Sequence, residues 1–217
     1  MEKLKENQIE TLKFNVSISY GIEQEIQRVR NTLKRLPWYL EQGYSADFAK
    51  LPAGITEKSN DEDVIRAVNG EYFDADYAEC AAKLQQEWAV ISKGFEKMRN
   101  EPSFHLSDEY SVVLTKYGSG GSYDTDKNWV IVRAGAQSKG GTMGIVVHEI
   151  VHITIQYLID KYHIRHWHKE RLVDLILERY FSGLKNMQNT REDISMVDQA
   201  FEKLFPDMEA VAKSIGE

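Results

Sequence analysis

The sequence predicts an α+β fold: a small antiparallel sheet packed against a pair of helices, with a C-terminal half that is mostly helical. Three observations carry that prediction. Residues 12–20 alternate apolar and polar at period two, and residues 110–118 and 128–135 are also strand-like. The run GIVVHEIVHITIQYLI, residues 144–159, is apolar on nearly every face, which suits a helix buried in a core. From Gly141 onward the apolar spacing stays helical to the end of the chain.

Taken in order, LKFNVSISY at 12–20 puts Leu12, Phe14, Val16, Ile18 and Tyr20 on one face of a strand. From Ile22 to about Leu36 apolar residues recur three and four apart, predicting a helix that ends near Pro37. Residues 37–60, with Pro37, Gly43, Pro52 and Gly54, read as turns and short elements. A strong helix follows from Tyr77 to about Met98, with Cys80, Leu84, Trp88, Ile91 and Phe95 on a core-facing stripe. Asn100, Pro102 and Ser103 end it. That change of character divides the chain into an N-terminal region, 1–103, either separate or an integral part of one domain, and a core, 104–217.

YSVVLTKYG at 110–118 and NWVIVRAG at 128–135 are strand-like and are separated by SGGSYDTDK. They read as a hairpin or as two neighbouring strands of one antiparallel sheet. Helices are expected at about 142–162, 168–184 and 190–204, with a short piece after Pro206.

The 217 residues carry a formal net charge of -7 and are 42% hydrophobic, enough for a packed core. The acidic balance and the lack of a dense basic run argue against a grip on nucleic acid. Cys80 is the single cysteine, so no internal disulfide or thiolate cluster can form. The polar, acidic opening MEKLKENQIE lacks the order of a signal peptide. The longest apolar stretch is interrupted by His148, Glu149, His152 and Gln156, which fits a buried helix and no membrane span. A soluble, cytoplasmic protein is expected, with no nucleic-acid or membrane partner and its oligomeric state open.

The chemistry concentrates at HEIVH, 148–152. On a helix, His148 and His152 lie on one face a turn apart, as two ligands of one ion require, and Glu149 between them can reach a water beside that ion. A catalytic zinc needs a third protein ligand and an open position. HWHKERLVDL, 166–175, offers Glu170 as that ligand on the next helix. Asp174, four residues on, shares its face and can accept a proton from a ligating imidazole. A turn around Tyr162 to His166 would return the second helix antiparallel and bring Glu170 beside His152.

HEIVH followed by KERLVD resembles the zinc-binding pair of motifs of the gluzincin metallopeptidases, the broad group that includes thermolysin-like and M1-aminopeptidase-like enzymes. The resemblance covers roughly residues 110–184. It implies a zincin-like helix pair and one zinc ion per chain, held by His148, His152 and Glu170. It further implies Glu149 as general base, Asp174 as the carboxylate behind a ligand, and a peptide or protein substrate lying extended along an edge strand in GSGGSYDTDKNWVIVRAG. The Gly-Ala-Met-Glu-Asn signature of the M1-like enzymes is absent, and Lys169 precedes Glu170 where the thermolysin-like enzymes have asparagine, so no subfamily is assigned.

A zinc-dependent hydrolase of peptide bonds is therefore expected. The alternative keeps the ion as a staple between two helices of a non-catalytic binding protein, and a closed four-ligand site would mark it. A third reading leaves the histidines as core residues with local partners. Tyr123, Tyr180 and His166, on different elements, are candidate donors to the developing oxyanion, as is Tyr117, and Tyr123 joins Glu149 as a candidate catalytic residue. His163, His166 and His168 are alternatives for the third ligand. SGGS lacks the lysine of a phosphate loop and reads as a turn.

Overall fold

A computed structural model describes residues 14–45, 47–135, 140–181, 183–184 and 192–217. The chain runs β1 (Asn15–Ser19), α1 (Ile22–Glu41), α2 (Asp61–Glu71), α3 (Ala75–Arg99), β2 (Glu109–Thr115), β3 (Gly121–Asp124) and β4 (Trp129–Arg133). Among the described residues four helices follow: α4 (Gly141–Lys161), α5 (His166–Tyr180), α6 (Ser195–Leu204) and α7 (Met208–Ile215). The α+β class and the helical C-terminal half are as the sequence predicts. The expected strand start at Leu12 and the expected helix start at 190 lie outside the described residues.

The sheet is mixed, which corrects the wholly antiparallel sheet. Its order is β1-β2-β4-β3, with β1 parallel to β2, β2 parallel to β4, and β3 antiparallel to β4. Residues 110–118 and 128–135 thus hold neighbouring strands, but they run the same way. The reason lies in the segment between them. Gly118, at φ +84°, helps turn the chain after β2. β3 then runs back, and a tight reversal delivers β4 into the middle of the sheet. At that reversal the Asp124 side chain accepts hydrogen bonds from the backbone N–H of Asp126 (3.1 Å) and Lys127 (3.2 Å). The hairpin therefore lies between β3 and β4. Period two reports which face a side chain takes and says nothing of strand sense.

Two helical features depart from the pattern. α1 continues through Pro37 to Glu41. Pro37 is exposed and forfeits one backbone donor. Buried Tyr39, packed edge-on against Phe48 and Tyr44, holds the last turn helical. α2, which falls beyond the residues read as turns, starts with a reciprocal cap. Asp63 N–H donates to Asn60 Oδ1 (2.9 Å), and Asn60 N–H donates to the Asp63 carboxylate (3.3 Å).

α4 packs against β3 and β4, α3 lies against β1 and β2, and α5 lies against α4. Both regions of the chain share one core: Phe14, Leu84, Phe95 and Met98 pack with Val130, Val132, Ile150, Ile155 and Leu172. A second cluster, including Ile26, Val29, Val64, Val68 and Tyr117, joins α1 and α2 to the end of β2. Among the described residues α4 is the one helix long and apolar enough to cross a membrane, and 83% of that stretch is buried in the fold.

Candidate metal centre

Helical spacing puts His148 and His152 on one face of α4, and covering that face buries both to 2% exposure. α4 ends at Lys161, His163 takes φ 49° in the turn, and α5 begins at His166. Glu170 reaches both histidines, whereas Asp174, one turn further along α5, lies by His148, one turn back along α4. The two helices are therefore antiparallel, as the short connection predicts.

Three side-chain atoms converge. His148 Nε2 lies 2.9 Å from His152 Nε2 and 3.1 Å from Glu170 Oε2. His152 Nε2 lies 3.4 Å from the same oxygen. A tetrahedral ion with bonds of about 2.0–2.1 Å sets its ligand atoms about 3.3 Å apart. The triad fits such an ion in donor type and in spacing, and it forms a group of three among the described residues. The outer imidazole nitrogens, His148 Nδ1 and His152 Nδ1, are buried and make no hydrogen bond among the described residues. His148 Nδ1 faces Asp174 Oδ1 at 3.8 Å.

The electrostatics suit a cation. Burial opposes charge on His148, but Glu170, Glu149 and Asp174 outweigh it and draw the imidazole up from its ordinary value. Burial holds His152 down at about 3, in the neutral form that a ligand needs. Glu170 is held well below the usual carboxylate range; burial works against this, and the imidazoles and Lys169 outweigh it. Burial pushes the Glu149 carboxyl up to about 7, with His148, Lys169 and Arg28 limiting the rise. Such a carboxyl can take and return a proton near neutrality.

The surroundings come from β3, α4, α5 and the segment after α1. The Tyr123 ring on β3 stacks on His152, with centroids 4.9 Å apart and planes at 11°, and its hydroxyl donates to Gln156 Oε1 at 2.7 Å. Lys169 Nζ contacts Glu170 Oε1 at 3.1 Å. Burial opposes charge on Lys169, but Glu170 and Tyr123 outweigh it and raise its pKa. His166 Nδ1 lies 3.7 Å from Glu170 Oε1, and its Nε2 pairs with the Tyr44 hydroxyl at 2.9 Å. Gly121 on β3 presses against Glu149: a Cβ there would come within 2.3 Å of Glu149 Oε1.

Other candidates from the sequence lie elsewhere. Tyr117 donates to Glu71 Oε2 at 2.7 Å, and Tyr180 packs edge-on against Phe104. His163 is exposed in the turn between α4 and α5. His168 is buried beside Arg165, Glu192 and Asp193, outside the triad. Ser119 and Ser122 of SGGS bond Arg28, so that segment anchors a strand. Trp88 and Phe95 belong to the core. Sequence reasoning missed Lys169, Arg28, Gly121 and Gln156 as neighbours of the site. Adjacency to Glu170 was a signal for Lys169; for Arg28, 120 positions before His148, there was none.

No family model, no curated protein and no solved structure matches the chain, so what is known of the site comes from its own geometry. That geometry is consistent with a gluzincin-type site: a buried His-Glu-x-x-His pair and a downstream glutamate forming a compact triad able to coordinate a metal ion.

Proposed function

We propose that the protein is a zinc-dependent hydrolase of peptide bonds, acting on a peptide or protein in the cytoplasm. The observation that carries this reading is the meeting of His148 Nε2, His152 Nε2 and Glu170 Oε2 around one point, with the buried Glu149 carboxyl on the same helix. His148, His152 and Glu170 would hold the ion with three protein donors, which would leave it open to water and substrate, unlike a closed four-ligand structural site. When bound, zinc supplies Lewis-acid polarisation and lowers the pKa of water toward neutrality.

The chain's own residues do the rest. β3 is an edge strand, and an extended peptide beside it would gain backbone hydrogen bonds while its scissile carbonyl meets Glu149. Glu149 takes one proton from water as the oxygen bonds to the carbonyl carbon and the π electron pair moves onto the carbonyl oxygen. As that pair re-forms the carbonyl, the C–N bond breaks and Glu149 passes its proton to the leaving nitrogen. Asp174 supports the His148 ring, and Tyr123 fixes the plane of His152 by stacking.

Elemental analysis of purified protein from zinc-supplemented medium is the first test. About one zinc per chain is expected in the wild type, with loss or weakening in His148→Ala and Glu170→Ala. Glu149→Gln should keep its zinc and lose hydrolysis of a broad peptide library by on the order of a thousandfold. A wild type that stays metal-free, or a zinc-loaded Glu149→Gln that cleaves as well as wild type, would sink the reading.

A further inference from the structure

Beside the triad lies an ammonium group to which the scheme above gives no task. Lys169 Nζ sits 3.1 Å from Glu170 Oε1 and 5.7 Å from the centroid of the Tyr123 ring. Its side chain keeps 16% exposure, against 7% for Glu170 and 3% for His148. It therefore stands at the mouth of the centre, between the third ligand and β3. Glu149 faces the same strand, since its Oε1 lies against Gly121. A carboxyl from α4 and an ammonium from α5 thus converge on the strand along which a substrate would lie.

The other donors nearby are engaged. The Tyr123 hydroxyl donates to Gln156, and His166 Nε2 pairs with Tyr44. The Arg28 guanidinium is occupied with the Tyr117 carbonyl, Ser119 and Ser122. Tyr180 packs against Phe104. An ammonium carries three protons: Glu170 Oε1 and the Tyr123 hydroxyl engage two, and the third is left for a substrate oxygen.

We propose that Lys169 is the oxyanion donor of this site, its ammonium donating a hydrogen bond to the carbonyl oxygen of a peptide held along β3 as that oxygen takes the π electron pair. The proposal rests on the peptidase reading and extends it to a catalytic residue. Lys169 gives up no proton: water's proton travels through Glu149 to the leaving nitrogen, and the ammonium only stabilises the charge that forms and disappears on oxygen. A fixed cation in largely buried surroundings is suited to this, because it needs no reorientation as the charge develops. Tyr123 is then a positioning residue for His152, in place of the oxyanion donor expected from the sequence.

The test compares wild type, Lys169→Met and Lys169→Arg, each loaded with zinc and checked by elemental analysis. The substrate is the best-cleaved peptide of the library, and the binding probe is an N-phosphoryl dipeptide amide of matching side chains, whose anionic tetrahedral phosphorus mimics the adduct. Lys169→Met is expected to keep zinc and KM, lose about 100-fold in kcat, and lose probe affinity by the same factor as kcat/KM. Lys169→Arg should recover most of both. Unchanged kcat and probe affinity in Lys169→Met overturn the proposal. So does a loss that disappears when excess zinc refills the site, because Lys169 would then only hold Glu170 in place. A zinc-loaded wild type that neither cleaves the library nor binds the probe fails at the earlier step, and the peptidase reading falls with the proposal.

Discussion

Arg28 and the histidine-glutamate triad are both buried polar groups beside β3, yet their surroundings differ in kind. Around Arg28, donors meet acceptors: its N–H groups reach the Ser122 hydroxyl at 2.7 Å, the Ser119 hydroxyl at 3.2 Å, and the carbonyls of Ser119 and Tyr117. Its neighbour Glu25 accepts from the Tyr77 hydroxyl at 2.5 Å and from the backbone N–H of Lys116. In the triad, two imidazole nitrogens and a carboxylate oxygen point at one another within 3.4 Å. In the form that binds a metal all three are acceptors, so they satisfy one another only through a proton or a cation between them. Burial of polar groups is common to scaffold and site, and the direction of their lone pairs separates the two.

If that distinction holds, damage to the Arg28 cluster should be read as lost stability, and damage near the triad as lost metal or turnover. The largest change in stability is expected from Arg28→Met, which leaves the Tyr117 and Ser119 carbonyls and the Ser119 and Ser122 hydroxyls without their buried partner. A loss of about 3 kcal/mol should appear in denaturant unfolding while the refolded protein still binds zinc. Zinc lost with stability unchanged would put Arg28 on the other side of the comparison. Gly121→Ala comes next, because its Cβ would strike both Glu149 and the Ile145 side chain where the two clusters meet. It should cost about 1–3 kcal/mol in unfolding and lower kcat more than KM in steady-state kinetics.

Asp174→Asn leaves the packing of α5 in place and removes a charge 3.8 Å from His148 Nδ1. Its zinc affinity, measured by competition with a chelator, should fall by about 10-fold to 100-fold with little change in thermal stability of the zinc-loaded protein. The smallest effect belongs to Glu25→Gln. Burial raises the Glu25 pKa above its ordinary 4.5, and Tyr77, Lys116 and Arg28 offset this only in part. The folded state therefore binds the proton more tightly than the unfolded state, and wild-type stability falls as pH rises from 4.5 through the raised value. Glu25→Gln should remove that decline and be slightly more stable than wild type above the window. Unfolding curves across pH 4 to 8 check the sign, and a variant less stable at neutral pH would show that Glu25 is held for its charge.

The triad was legible because its information is local. Four residues on a helix is one turn, so HEIVH presents two imidazoles on one face in any fold that keeps the helix. The connection between α4 and α5, residues 162–165, is long enough for α5 to turn back along α4, which brings Glu170 and Asp174 alongside. α2 was legible in principle: Asn60 and Asp63 form a reciprocal cap ahead of Val64 and Val68, a signal passed over because the segment before it is rich in turn residues. The sense of β2 and β4 was not legible, because alternation is the same in either direction. β3, with only four residues, was hidden inside a segment that reads as a turn.

Spacing along the chain alone thus predicts the α+β class, the helix pair and the His148-His152-Glu170 cluster they share, since helix geometry converts sequence distance into spatial distance over a few turns. The mixed sheet, the pressing of Gly121 against Glu149, the capture of Arg28 by the turn after β2, and the seat of Lys169 beside Tyr123 were decided only when distant segments packed. Those contacts join residues dozens of positions apart through a shared core, and no local period records which partner a side chain will meet there.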